Sequence, residues 1–247
     1  MRVFKTILLL TLILSLTSCS IITNRIISDV SDTVVEIDPE DGSGVAVKAE
    51  TPGTMLDYFA EIAFDSEYGT SAGKLCRWET EILYKITGDA TENDLELIDY
   101  LCETLNGIEG FPGIREAKNA DTANFEIMFV SRDTIAKEFE HATDACTGMC
   151  EFSWTTDTYR IVSARAAIDS AETSERNSTI CEEILQSMGL PNDSYTHRDS
   201  VFYEGRCVYN RPSELDFAMI RLLYHPSLRC GMTKKEALAS AVDILQW

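Results

Sequence analysis

The chain has 247 residues, 45% of them apolar, which suits one domain with a full hydrophobic core, or one domain with a tail. Its 21 lysines and arginines against 41 aspartates and glutamates give a formal net charge of −20. This charge argues against nucleic-acid binding and against attachment to anionic lipid through charge, and it fits a solubilising surface.

The N-terminus has the pattern of a bacterial export signal. Arg2 and Lys5 precede an apolar run over residues 7–16, which is too short to span a bilayer comfortably. Residues 16–19, Leu-Thr-Ser-Cys, resemble the lipobox of bacterial lipoproteins, in which the signal is cut before the cysteine and the thiol carries lipid. The resemblance implies a signal peptide at residues 1–18 and lipidation of Cys19. The alternative is an ordinary secretory signal followed by a chance cysteine.

A lipidated Cys19 would begin an anchored tether over residues 19–53. Each buried CH₂ contributes ~0.8 kcal/mol, so several acyl chains hold a protein stably at the membrane. Ser20 after the cysteine, in place of an aspartate, is typical of sorting to the outer membrane, so the predicted location is its periplasmic face. The tether is acidic and ends in a stretch with glycine and proline, and extended at ~3.3 Å per residue it would reach tens of ångströms.

Cysteine usage fits an oxidising compartment. Seven cysteines remain besides Cys19, an odd number, so at least one has no partner within the molecule. Cys146 and Cys150 flank a short loop that contains glycine, and they are predicted to form a local disulfide bond. The other pairings stay open. No C-x-x-C pair is present, which argues against a zinc ribbon.

The globular domain is predicted over residues 54–247. Apolar periodicity and capping residues predict helices after Thr54, after Thr91, and over residues 134–141, 175–188, 214–224 and from about 233. Strands are predicted over residues 82–86, 124–130 and 160–168. This order predicts a single α+β (or α/β) domain with one mixed sheet backed by helices.

The helix over residues 175–188 carries the most informative motif. It has the spacing of the zinc-protease motif H-E-x-x-H-x-x-G-x-x-H, with every histidine replaced. The three ligand positions hold Glu182, Gln186 and Asn192, and the general-base position holds Glu183. Residues four apart share a helix face, and a glycine at position 189 allows the chain to turn back. Asn192 and the adjacent Asp193 would then lie near that face.

The residue types at these positions limit the chemistry. Glu182 offers a carboxylate, whereas Gln186 and Asn192 offer neutral amide oxygens. Such a set suits Ca²⁺ or Mg²⁺ and binds Zn²⁺ poorly, so no cofactor is predicted, with calcium or magnesium as the alternative. An ordinary polar helix face, with the two amides capping backbone groups in a tight turn, explains the same residues without a site.

Two later segments strengthen the likeness to metzincin-type zinc proteases. Residues 200–203, Ser-Val-Phe-Tyr, resemble their S-x-M-Y turn beneath the metal, with Phe202 in place of methionine. Residues 213–224 resemble the closing helix of that fold, which often ends in Leu-Tyr. The resemblance implies a zincin-like fold, in which a sheet strand lies beside the active-site helix, and a role for Tyr203 in steadying an oxyanion.

A narrower resemblance spans nearly the whole predicted domain. Its residues are Arg77-Trp78, Asn124-Phe125, the pattern E-E-x-x-Q-x-x-G-L-x-N-D-S over residues 182–194, and L-Y-x-P-x-x-x-x-G-M-T over residues 223–233. These resemble the bacterial domain-of-unknown-function family 2927, many of whose members look like lipoproteins. The absence of the histidines is then a feature of the group, and the resemblance implies no established activity.

Two functions follow from these observations, and whether the protein is an enzyme stays open. The favoured one is a non-catalytic, envelope-anchored module that binds an envelope protein or peptide in the protease-like cleft, through Glu182, Gln186, Asn192 and Asp193. The alternative is a hydrolase of peptide or peptidoglycan bonds with Glu183 as general base. The expected partners are the membrane, through the lipid anchor, and an envelope protein or peptide. Binding of nucleic acid is not expected.

Overall fold

The computed structural model describes residues 34–37, 44–47, 52–66, 71–172, 174–205 and 209–245. The predicted signal peptide, Cys19, Cys207 and most of the predicted tether lie outside the described residues. The chain divides into two compact units, Met1–Pro52 and Gly53–Gln246. In the first unit, strands β1 (Val34–Ile37) and β2 (Gly44–Val47) pair antiparallel.

The rest of the described chain alternates helices and strands. The helices are α1 (Pro52–Phe64), α2 (Glu92–Asn106), α3 (Arg132–Glu138), α4 (Arg176–Gln186), α5 (Glu214–Tyr224) and α6 (Lys234–Leu245). The strands are β3 (Arg77–Trp78), β4 (Ile82–Gly88), β5 (Ile114–Glu116), β6 (Phe125–Val130), β7 (Gly148–Trp154) and β8 (Arg160–Asp169). The predicted single domain with one mixed sheet backed by helices is therefore confirmed.

The sheet is parallel except at one edge. Strands β5, β4, β6 and β8 lie side by side in that order and run parallel, and β3 pairs parallel with the first residues of β8. β7 pairs antiparallel with the same stretch of β8 that pairs with β6. β6 and β7 must therefore lie on opposite sides of β8, which makes β7 an edge strand.

The strand β7 and the four shorter strands β1, β2, β3 and β5 are not predicted from the sequence. Residues 146–150 were expected to form a disulfide-closed loop, and this is wrong for the described chain. No disulfide joins any of the six described cysteines, and Cys150 lies within β7. Its Sγ donates to Gln186 Oε1 over 3.3 Å, while Cys146 Sγ accepts from the Thr143 backbone. The two thiols therefore have different hydrogen-bond partners.

Local capping explains where several helices begin. At α2, Thr91 accepts from the Asp94 backbone amide and Asp94 accepts from the Thr91 amide, a reciprocal capping box. Ser213 and Asp216 repeat this arrangement at α5. α3 starts earlier than expected because Ser131 caps it.

The core lies on both faces of the sheet. The larger cluster joins β-strand side chains such as Phe125 and Ile127 to buried residues of α1, α2, α4, α5 and α6. The smaller cluster packs Ile135 of α3 against Met128, Met149 and Ala167. Among the described helices, none has the length and apolar composition that a membrane crossing requires.

Candidate functional site

The C-terminal end of α4 is held by side-chain hydrogen bonds. A helix leaves its last carbonyl groups without intrahelical donors. Here the Trp78 indole donates to the Ser187 carbonyl over 2.9 Å, and the Tyr224 hydroxyl donates to the Met188 carbonyl over 2.8 Å. Arg77 in turn donates to the Leu223 carbonyl near the end of α5. Residues that marked the family resemblance therefore fix the helix that carries the motif.

Gly189 allows the chain to reverse directly after this helix. Its φ is +119°, a conformation that residues with a Cβ rarely adopt. A Cβ at this position would also lie 2.3 Å from the Cys76 carbonyl oxygen. Both the turn and the close packing against the segment before β3 require glycine here, and they place residues 190–194 beside the helix.

The other end of α4 is tied to α2 by a buried ion pair. Arg176 contacts Asp94 through two hydrogen bonds of 2.8 Å, and the Asp94 side chain is fully buried. Burial alone would raise the pKa of Asp94, but the hydrogen bonds from Arg176 and Thr91 hold it below its ordinary value. The ion pair fixes the first turn of α4 against the rest of the fold.

A buried polar network supports the turn over residues 200–203. Ser200 Oγ donates to Asp216 Oδ1 over 2.5 Å and lies 2.6 Å from the Tyr58 hydroxyl. Burial raises the pKa of Asp216, although hydrogen bonds from Ser200 and Ser213 oppose the shift. Phe202, which replaces the methionine of the protease motif, is fully buried. Tyr203 follows this hydrogen-bonded turn and lines a cavity.

That cavity, called the acidic cavity below, has a volume of about 480 Å³. It lies between α4, the loop that leads into β7 and the turn after residue 200. Its acidic lining residues are Glu175, Glu182, Glu183, Asp193 and Glu204, and Tyr203 also lines it. None of the described residues that line it is a lysine, arginine or histidine. Of the predicted site residues, the structure thus brings together Glu182, Glu183, Asp193 and Tyr203.

Glu183 is the most buried acid of this group, with 6% of its surface exposed. Its carboxylate lies against the first residue of β7, because a Cβ on Gly148 would come within 2.3 Å of Glu183 Oε1. A Cβ there would also meet Thr179 Cγ2 at 2.4 Å. The missing side chain at residue 148 therefore makes room for the glutamate at the wall of the acidic cavity.

Gln186 and Asn192 use their amides to hold the turn. The Gln186 amide nitrogen donates to Asp193 Oδ1 over 2.5 Å, and its oxygen accepts from Cys150. The Asn192 side chain donates to the Asp193 carbonyl over 2.7 Å. Gln186 is buried at 3% exposure, and Asn192 lines neither of the two cavities described here. Of the three expected ligand positions, Glu182 lines the acidic cavity, while the amides of Gln186 and Asn192 hydrogen-bond to Asp193.

A second cavity, the groove, lies along β7 on the other side of Gln186. Its volume is about 370 Å³, and its walls are β7, the end of α1 and the segment before β3. Its lining is mixed: Met149, Phe152, Trp154, Ala63, Ala72 and Pro191 are apolar, and Ser66, Ser71, Lys74, Glu140, His141, Glu151 and Gln186 are polar or charged. The rings of Phe152 and Trp154 contact each other edge to face at 6.0 Å. Gln186 lines this groove and not the acidic cavity.

The structure shows where potential metal-binding side chains lie. Within the described residues, no group of three or more histidine, cysteine, aspartate or glutamate side chains has a metal-binding arrangement. His197, which follows the motif, packs on the Tyr58 ring with 4.4 Å between ring centres. His141 lines the groove.

The structure is a mixed α/β domain in which the edge strand β7 and the helix α4 both line two cavities. The family model for a protein of unknown function, DUF2927, matches residues 52–242. The chain therefore belongs to this family. No curated protein matches the chain.

Sequence reasoning missed β7, and with it Gly148, Phe152 and Trp154. A signal was present, because Cys150, Phe152 and Trp154 alternate with more polar neighbours, as in a half-buried strand. The predicted disulfide-closed loop overlaps the start of this strand, and for that reason the strand was not predicted. Glu175 and Glu204 carry no motif and join the cavity only through the fold.

Proposed function

We propose that this chain is a lipoprotein of the cell envelope, anchored through Cys19, whose domain binds a protein or peptide segment without catalysing its cleavage. The observation that carries the proposal is the use of Gln186 and Asn192. Their amides lie at two of the three protease ligand positions, and both are engaged in holding Asp193. Gln186 lines the groove, and Asn192 helps to fix the turn that follows the helix. With both amides engaged in this way, we expect the cleft to bind a ligand.

The edge strand gives this cleft a surface for a peptide. Within the described residues, β7 pairs only with β8, so its other edge has no strand partner. Unpaired strand edges bind extended peptides through backbone hydrogen bonds. Both β7 and β8 also contact α4. This arrangement supports the proposed zincin-like relationship, in which a sheet strand lies beside the motif helix.

A hydrolase is the competing proposal, because Glu183 and Tyr203 line the same cavity. Glu183 would take a proton from an attacking water, with a calcium or magnesium ion as the cofactor that the oxygen donors suit. The test compares metal content and peptide cleavage of the purified domain with those of Glu183→Gln. Turnover of a defined substrate that is lost in this variant would replace the binding proposal.

Photo-crosslinking in the envelope tests the binding proposal itself. A photoreactive amino acid at residue 152 of the full chain lies in the groove, and the same amino acid at Leu95, which is 42% exposed on α2, is the control. We expect a discrete adduct from residue 152 and none from residue 95. The adduct should be lost when Trp154→Ala is added. Equal labelling from both positions, or none from either, would contradict the proposal.

A further inference from the structure

The groove beside β7 differs in chemistry between its floor and its rim. The apolar part of its floor consists of lining residues that are at most 5% exposed, namely Ala63, Cys76, Phe139 and Met149. The buried Gln186 side chain also lies there, and it already hydrogen-bonds to Asp193 and Cys150. The rim carries three charged side chains and an imidazole, which are Lys74, Glu140, Glu151 and His141. A ligand in the groove therefore meets mainly apolar surface beneath it and polar groups around it.

Two aromatic side chains of β7 complete the lining. Phe152 and Trp154 are half-buried, and their rings contact each other edge to face with 6.0 Å between their centres. In such a pair, the ring that contributes its edge keeps both of its own faces clear of the other ring. The face of an aromatic ring is electron-rich, so it attracts the weakly positive hydrogens of C–H groups. The groove thus offers an aromatic surface suited to a ligand face made of C–H groups.

The rim combines hydrogen-bond donors with acceptors of opposite charge. Lys74 and His141 supply N–H groups, whereas Glu140 and Glu151 supply carboxylate oxygens. A ligand with a net charge would be repelled by part of this rim, whichever sign it carried. A hydroxyl group both donates and accepts hydrogen bonds. A neutral ligand with several hydroxyl groups can therefore bond to every part of the rim without introducing a charge.

We infer that the groove binds a neutral saccharide unit, with one face of the sugar ring against the aromatic side chains and its hydroxyl groups at the rim. A hexose ring has C–H groups on its faces and hydroxyl groups around its edge. Equatorial hydroxyl groups leave these faces most apolar, so the expected unit has the configuration of glucose. The volume of about 370 Å³ lies within the ~300–1,000 Å³ of small-molecule sites. This inference goes beyond the proposed function, and a partner segment that carries a sugar would satisfy both.

Saturation-transfer NMR with the full chain tests this inference. The probes are glucose, its cationic counterpart glucosamine, its anionic counterpart glucuronate, and the tetrasaccharide cellotetraose. We expect saturation to reach the ring C–H protons of glucose and cellotetraose, and both charged counterparts to bind severalfold more weakly than glucose. A free sugar and a glycan chain share this chemistry. Tighter binding of cellotetraose than of glucose identifies a chain as the ligand, and equal binding identifies a free sugar.

Variants of the groove locate the bound sugar. Trp154→Ala removes aromatic surface and should weaken binding roughly tenfold, whereas Trp154→Phe should retain most of it. Tyr195→Ala is the matched control, because Tyr195 is 75% exposed and lines neither cavity. At the exposed rim, Glu140→Ala should weaken binding severalfold. Glu140→Gln keeps an oxygen acceptor and should bind the neutral sugar as the wild type does.

The outcomes separate this inference from the proposed function. If neither glucose nor cellotetraose binds while a photoreactive residue 152 still captures a protein, the inference is overturned and the peptide proposal stands. If either charged sugar binds more tightly than glucose, a neutral ligand is the wrong assignment. If Trp154→Ala and Tyr195→Ala weaken binding equally, the sugar lies outside the groove and the inference fails. If the sugars bind as expected and residue 152 captures no protein, the inference stands and the peptide proposal fails.

Discussion

At the residue scale, the amides of the motif make hydrogen bonds that its spacing does not predict. Helical spacing correctly placed Glu182, Glu183 and Gln186 on one helix, and it suggested that the chain would return near them at Asp193. Spacing could not show how the amides orient, because that depends on Cys150, which belongs to a strand the sequence did not reveal. The direction of a side chain depends on its tertiary neighbours, and a periodic pattern carries no information about them.

Gln186→Leu tests the role of that amide. The substitution keeps a similar volume but removes the donor to Asp193 and the acceptor for Cys150. Gln186 is buried, and each of the two hydrogen bonds that it loses contributes about 0.5–1.5 kcal/mol. We expect a decrease of this size in the free energy of unfolding, measured by urea denaturation. Glu182→Gln, on the more exposed side of α4, is the control and should change little. Equal effects of the two would show that Gln186 has no structural role.

Asp94→Asn tests the buried ion pair between α2 and α4. Removing one partner of such a pair costs about 3–5 kcal/mol. Hydrogen bonds lower the pKa of Asp94 in the folded state. The ion pair therefore stabilises the wild-type fold fully at pH values above the unfolded-state pKa of Asp94, and this stabilisation is lost as the pH falls through the folded-state pKa. The stability difference between wild type and variant should therefore shrink below about pH 4. Thermal unfolding at several pH values measures it, and a difference independent of pH would contradict this account.

At the scale of elements, strong local signals were sufficient for most helices and the central strands. Capping residues and apolar periodicity marked α2 and α5, and the interior strands β4, β6 and β8 stood out as apolar or alternating runs. The short strands β3 and β5, with two and three residues, have no local signal and exist only through pairing with distant strands. β7 was not predicted because Cys146 and Cys150 suggested a disulfide-closed loop at its start.

The turn after α4 provides a prediction at this scale. Gly189→Ala introduces a Cβ at positive φ and at 2.3 Å from a backbone oxygen, whereas Gly73→Ala has positive φ but no atom within 4 Å of its Cβ. The conformational penalty alone is about 1–2 kcal/mol. We expect Gly73→Ala to lose about that much stability and Gly189→Ala distinctly more. Chemical denaturation compares them, and equal losses would show that packing against Cys76 is unimportant.

At the scale of the whole molecule, composition indicated an acidic, single-domain chain, and the family match over residues 52–242 covers most of it. The two adjoining cavities could not be predicted, because their walls come from segments far apart in sequence. Glu182 and Glu204 meet across one of them, and Ala63 and Trp154 across the other. Only the path of the sheet and the reversal at Gly189 bring these residues together.

Anchoring is a property of the full chain and has its own test. If Cys19 carries lipid, Cys19→Ala should move the protein from the membrane fraction to the soluble fraction. Ser20→Asp should keep it membrane-bound while changing the membrane in which it resides. Fractionation followed by immunoblotting measures both. Unchanged membrane association of Cys19→Ala would overturn the lipoprotein assignment and leave the binding proposal untouched.

The central claim is that the cleft binds a peptide segment and does not cut it. Mass spectrometry of the adduct formed by a photoreactive residue 152 in the envelope tests this most directly, with Glu183→Gln as the paired sample. We predict an adduct with an intact partner, the same in both samples and absent from the residue 95 control. A partner cleaved near the crosslink in the Glu183 protein but intact in Glu183→Gln, or no adduct above the control, would contradict the account.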